Sequence, residues 1–248
     1  MKKRIGEYAY RLDLGKIRVS NEDNATALIN SNGDVLLIVC DGMGGYKKGD
    51  FASRVVIEHF KDAFLNKTHF FTNYTAIQWI MSVAKKANRE IFKNAQDQDY
   101  KDMGTTCILA LLVNDSIIVG YAGDSRCYFY SKNKMEQVSE DQTYVDYLYK
   151  NGSITKEEME THPKRHVLTN AIGIFPTVSL SFKTFKNKGQ NILLCSDGLY
   201  KNLEENDILS VLKSNEAVDI KCESLIAFAN SNGGSDNIAT VLRESKDD

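Results

Sequence analysis

An excess of charge of one sign is absent from this chain: 31 basic residues stand against 33 acidic ones, a formal net charge of -2. That balance argues against nucleic acid, or an anionic membrane surface, as the main partner. Histidine is scarce, with four residues, and His59 has no second histidine at ligand spacing. Cys40, Cys107, Cys127, Cys195 and Cys222 form no CxxC pair, and four of these five lie in apolar strand-like runs, so buried reduced thiols are expected. The basic start, MKKRIGEYAY, is not followed by an apolar signal-peptide core, and no later apolar run approaches bilayer length. A soluble cytoplasmic protein without membrane association is expected. With only two prolines, no low-complexity segment, no solenoid-length repeat and no linker, the 248 residues are expected to form one domain, 1–248.

What the chain has instead is a repeated gesture. Val35 to Gly45, VLLIVCDGMGG, is an apolar run that passes through a cysteine, delivers one aspartate and then turns on glycines. A short apolar run bounded by turn signals predicts a buried strand, which places Asp41 at a strand's mouth. Asn191 to Gly198, NILLCSDG, repeats the pattern with Asp197. The two stretches are predicted to be two walls of one carboxylate site.

Taken in order, Glu7 to Val19 predicts one or two strands, and with Ala25 to Ile29 and the strand at Val35 it resembles a β-meander. Phe51 to Phe64 places apolar residues at helical spacing, with His59 on the apolar face as an expected core residue rather than a ligand. A second helix is predicted over Tyr74 to Ala95. Gly104 to Val113 and Ser116 to Tyr121 predict a hairpin ending near Asp124, after which Cys127 to Tyr130 and Met135 to Val138 are expected to continue the sheet. From Ser139 to about Gly173 the pattern is polar and irregular, apart from short helices near Tyr144 and Thr155. Val178 to Phe185 then alternates, a helix capped by Asn202 to Glu205 reaches Leu212, another spans Val218 to Ala229, and Ile238 to Leu242 is the last strand.

Asp23, Asp41, Asp124, Asp197 and Asp236 each fall beside a strand end, most with a neighbouring Gly or Ser. Any one Asp-Gly is an ordinary turn. Together they form an all-oxygen set without organised His or Cys, which suits hard cations such as magnesium or manganese and suits zinc or copper poorly. The chemistry that such a set points to is metal-assisted hydrolysis of a phosphoryl group, with no protein nucleophile required.

Arg18-Val19-Ser20-Asn21-Glu22-Asp23, Asp41-Gly42-Met43-Gly44-Gly45, Met103-Gly104-Thr105-Thr106, Gly123-Asp124-Ser125-Arg126, Ser196-Asp197-Gly198-Leu199 and Asp236-Asn237-Ile238 together resemble the motifs of the type 2C (PPM) metal-dependent protein serine/threonine phosphatases. The likeness is to the compact bacterial members and runs over nearly the whole chain. It implies an α+β fold, a four-layer α/β/β/α sandwich of two antiparallel sheets flanked by helices, forming a single catalytic domain. Carried over, it makes Asp41 the carboxylate bridging two Mn2+ or Mg2+ ions, with the Gly42 carbonyl completing one ion's ligands and Asp197 and Asp236 holding the other. Asp23 would act largely through metal-bound water, Glu22 in the surrounding shell, and Asp124 with Asp197 at a third ion in the manner of bacterial members. Arg18 would grip the substrate phosphate and Arg126 would be structural. The implied reaction is hydrolysis of phosphoserine and phosphothreonine in proteins by a metal-bridged water, in a monomer that opposes a serine/threonine kinase. The alternatives are a catalytically weak regulatory binding module on the same fold, or a hydrolase of small phosphate esters. Two positions depart from the bacterial pattern. Tyr46 follows the second motif where histidine is common, and Asp141-Gln142 stands in place of an Asp-His pair, so neither place supplies a histidine general acid. The excursion over 139–173 corresponds to the family's variable flap and is expected to bear on substrate selection.

Overall fold

Unbroken apolar runs such as Val35 to Cys40 are buried on both faces, which requires layers on either side of the sheet that contains them. In a computed structural model, which describes residues 6–45, 48–67, 69–96 and 103–245, two antiparallel sheets supply that arrangement. One sheet has five strands in the order β1 (Glu7–Asp13), β11 (Ile238–Glu244), β10 (Asn191–Cys195), β7 (Arg126–Ser131) and β8 (Lys134–Gln137). The other runs β2 (Asp23–Ile29), β3 (Val35–Met43), β5 (Cys107–Val113), β6 (Ser116–Ala122) and β9 (Ser181–Lys186), with β4 (Gly104–Thr105) paired to the end of β3.

Alternate residues of the central strands divide between two cores. Leu37, Val39, Ile108 and Ala110 meet Ile192, Leu194, Ala239 and Val241 between the sheets. Leu36, Ile38, Leu109 and Leu111 face α1 (Lys48–Leu65) and α2 (Asn73–Asn94). On the opposite outer face, Leu193, Cys195 and Leu242 pack against α6 (Glu205–Leu212) and α7 (Val218–Ser231). The order is therefore helix, sheet, sheet, helix. All five cysteines are free and buried, and no helix among the described residues is long and apolar enough to cross a membrane.

Several expectations need correction. The meander does not hold, because β1 pairs with β11 in the opposite sheet from β2, in a register running from Glu7↔Glu244 to Asp13↔Ile238. The first strand also stops at Asp13: Gly15 takes φ 76°, and the Lys16 amide leaves the strand to bond the Gly234 carbonyl at 2.8 Å. Nor do β7 and β8 continue the sheet of β6, since the chain changes sheet between Ala122 and Arg126. The cap of α6 is Glu204, reciprocated by Asp207, rather than Asn202. His59 is not enclosed; it reaches across the seam between α1 and α2, with Nε2 2.8 Å from the Glu90 carboxylate. The excursion after β8 contains α3 (Tyr144–Lys150) and α4 (Lys156–Thr161), and it returns to the second sheet through paired backbone bonds between Thr105 and Ile172, each 2.9 Å.

Candidate functional site

Several strand ends and one change of sheet meet in a polar corner at one end of the sandwich. Asp41 ends β3, and Asp124 lies in the crossing from β6 to β7. Asp197 opens the one-turn helix α5 (Asp197–Tyr200) after β10, and Asp236 precedes β11. All four line one cleft of about 670 Å³, together with Arg18, Glu22, Gly42 and Lys201. Asp23 lies just behind them, almost wholly buried and directly opposite Asp41 in the β2–β3 register.

Residues flanking these aspartates bolt the corner together. Thr106 receives the Asp41 amide on its hydroxyl at 2.9 Å and returns its own amide to the Asp41 carbonyl at 2.8 Å. The Thr105 hydroxyl donates to the same carbonyl at 2.9 Å. Ser196 joins the two sheets, donating from Oγ to Asp23 at 2.6 Å while accepting the Ala239 amide at 2.9 Å. Asn237 staples the loop that carries Arg18: its Oδ1 accepts the Glu22 amide at 2.9 Å, and its amide group donates to the Leu14 and Ser20 carbonyls. The motif residues that carry no charge thus fix the positions of those that do.

Gly42 approaches other backbone too closely for any side chain, since a Cβ there would lie 2.2 Å from the Gly49 carbonyl oxygen and 2.5 Å from that of Glu22. Gly44 and Gly45 adopt φ of 128° and 67°, turning the chain away from the cleft. Tyr46 lies outside the described residues. Gln142 is engaged in scaffolding: its Oε1 accepts the Gly123 amide at 3.0 Å and the Asn170 amide at 2.9 Å, tying the excursion to the Asp124 turn. Arg126 is structural as expected, forking onto Asp141 with its closest contact at 2.7 Å and stacking 3.5 Å above the Tyr200 ring.

Electrostatically the corner is short of positive charge. Arg18 meets Asp236 at 2.7 Å, and Lys201 meets Asp197 at 2.5 Å. Burial, then repulsion from Asp23 and Asp197, holds the Asp41 carboxyl well above the usual carboxylate range. Burial, with Asp197 and Asp236 nearby, raises Asp23 to about 8 despite its Ser196 bond, and burial followed by Asp197 raises Asp124 to about 7. These groups hold protons in the folded chain that the unfolded chain releases near pH 4. The stability of the metal-free protein should therefore fall as pH rises from about 4 through about 8, and a bound dication should relieve the same repulsion. In EDTA the melting temperature at pH 8.5 should lie at least roughly 3 °C below that at pH 6, and Mn2+ should raise it more at pH 8.5. Equal melting temperatures in thermal scans at the two pH values would contradict this.

Among the described residues, no three His, Cys, Asp or Glu side chains already converge as a closed metal site would require. Asp236 is turned to Arg18, Asp197 to Lys201 and Asp23 to Ser196. The donors still suit a hard cation that keeps much of its water and takes only one or two carboxylates directly. Sequence patterns do not point to Lys201, although its place four residues after Asp197 on a helical turn is a signal that could have found it. His166 also lines the cleft, and burial, then Lys201, lowers its pKa. His162 instead packs against the Tyr144 ring.

A layered sandwich with a carboxylate corner at one end is the arrangement that the resemblance to the type 2C phosphatases implies. The protein phosphatase 2C family matches residues 18–243, and the chain belongs to it. A Listeria monocytogenes protein named serine/threonine phosphatase stp is 34% identical over 237 residues, covering 95% of this chain and 94% of its own. Protein phosphatase PhpP of Streptococcus pneumoniae is 31% identical, covering 95% of this chain and 96% of its own. The crystal structure of serine/threonine phosphatase Stp1 from Staphylococcus aureus superposes with a TM-score of 0.90 at 32% identity, covering 98% of this chain and 96% of that one.

Proposed function

We infer that this protein serine/threonine phosphatase removes phosphate from phosphoserine and phosphothreonine in proteins at the carboxylate corner, as a monomer in the cytoplasm opposing a serine/threonine kinase. The observation that carries the placement is the convergence of Asp41, Asp124, Asp197 and Asp236 from four separate chain segments on one cleft with Arg18 at its rim. Asp41 and the Gly42 carbonyl, with Asp197 and Asp236, would hold two Mn2+ or Mg2+ ions, and Asp23 and Glu22 would support them from behind. Bound there, such ions would lower the pKa of a water between them and neutralise the phosphoryl group as it is attacked.

The remaining work falls to the chain's own groups. Arg18 is half exposed and bonds Asp236 through one nitrogen, so its fork is free to meet two phosphate oxygens at the cleft mouth. Asp41 is fixed through its own backbone by Thr105 and Thr106, so its carboxylate stays aimed into the cleft without rearrangement. Gln142, committed to Gly123, does not protonate the leaving group. The excursion over 139–173, anchored at Thr105 and Asn170, is proposed as the flap that selects substrates of a single catalytic domain.

The direct test measures phosphate release from a phosphothreonine peptide with Mn2+, with and without chelator, using a nucleotide as comparison substrate. Turnover should vanish on chelation and favour the peptide; turnover that survives full chelation would overturn the reading. In the same assay Arg18→Ala should raise KM about tenfold, with a smaller change in kcat. An unchanged KM would remove Arg18 from phosphate binding.

A further inference from the structure

Lys201 lines the cleft without belonging to any of the motifs, and its position is specific. The turn of α5 places it four residues after Asp197, with its amide bonded to the Asp197 carbonyl at 2.9 Å, so that Nζ curls back onto the Asp197 carboxylate at 2.5 Å. The same turn presents the Tyr200 hydroxyl to the Asp124 carbonyl at 3.1 Å, which pins the Asp124 backbone against α5. Asp124 thereby faces Asp197 as its strongest repelling charge and Lys201 as its attracting one. The Lys201 hydrogen bond is to Asp197, and it acts on Asp124 through its charge. The other cation lining the cleft, Arg18, is bonded to Asp236, away from this pair.

A divalent ion held by Asp124 and Asp197 would meet the positive charge that Lys201 already sets on Asp197 in the same cleft. We propose that the Lys201 ammonium holds the corner between Asp124 and Asp197 in place of a third divalent ion, so that this chain works with two ions and one built-in cation. The inference rests on the reading that the Asp41 end of the cleft binds divalent ions. An ammonium is a fixed single charge that is not lost to dilution or chelation, whereas a weakly held third ion would leave as its free concentration fell.

Equilibrium dialysis against Mn2+ separates the cases, with thermal melting to confirm that each variant folds. The wild-type chain should take up about two Mn2+, while Lys201→Asp and Lys201→Met should each take up about three, the added ion being lost again when Asp124→Asn is combined with either. Lys201→Met removes the charge without supplying a ligand, so a gain there is not an artefact of a new carboxylate. Three ions in the wild-type chain, one of them lost in Asp124→Asn, would overturn the role of Lys201 and leave the two-ion reading intact. Two ions in every variant, with a raised KM for phosphopeptide, would make Lys201 a substrate contact and also overturn it. No Mn2+ uptake by the wild-type chain would overturn both readings.

Discussion

Asp41→Asn should lower kcat for a phosphothreonine peptide by about a thousandfold or more, a loss of about 4 kcal/mol of transition-state stabilisation. The change keeps the shape of the side chain and deletes the carboxylate proposed to hold both ions. Because Asp41 is buried against Asp23 and Asp197, the same substitution removes repulsion from the metal-free protein. Its melting temperature in EDTA should therefore equal or exceed that of the wild-type chain, while the stabilisation gained on adding Mn2+ should shrink. Loss of activity with no loss of fold is the signature of a group held against its own stability for function. Normal turnover by Asp41→Asn in Mn2+ would overturn its central role.

Gly42→Ala should be the most damaging small substitution in the cleft. Its Cβ would meet two backbone oxygens, of Gly49 at 2.2 Å and Glu22 at 2.5 Å, and neither can swing aside as a side chain could. The first turn of α1 or the loop carrying Glu22 would have to move, at a cost of about 3 kcal/mol. A melting temperature lower by about 8 °C and turnover reduced by about a hundredfold are expected, since the Gly42 carbonyl moves with the strand end. At Gly45, by contrast, no described residue lies within 4 Å of an added Cβ, and the cost is that of φ 67°, about 1 kcal/mol. Differential scanning calorimetry of the two alanine variants distinguishes steric exclusion from backbone preference; equal melting temperatures would refute it.

Much of this was legible before any coordinates, and the reasons are local. Asp41 and Asp197 stand out because burial of a central strand and the turn that ends it leave marks within a few residues. Helices α1 and α2 were legible because a 3.6-residue period needs only one chain segment to declare itself. Partner choice declares nothing of the kind. Alternation in Glu7 to Asp13 fits either sheet, and only the closure of the whole sandwich assigns β1 to β11. The crossing at Gly123 was hidden for the same reason: a hairpin and a change of sheet both use a glycine turn. Cap chemistry misled at α6, where Asn202 had the right residue type but its amide serves the Gly198 carbonyl instead. Lys201 is easily passed over because a lysine on a short turn is ordinarily a solvated charge, and its spacing of four from Asp197 gains meaning only with Asp124 in the same cleft.

The pairing of β1 with β11 also ties the corner to contacts of very long sequence separation. Glu7–Asp13 joins Ile238–Glu244, and the segment leading into β11 carries Asp236 and Asn237. A chain cut before Asp236 would have no partner for β1 and no Ala239 amide to orient Ser196 behind Asp23. It also lacks the Asn237 staple that holds the Arg18 loop. The carboxylate corner is therefore expected to form only once the segment around β11 has paired, and a chain cut before Asp236 should release no phosphate from a phosphothreonine peptide.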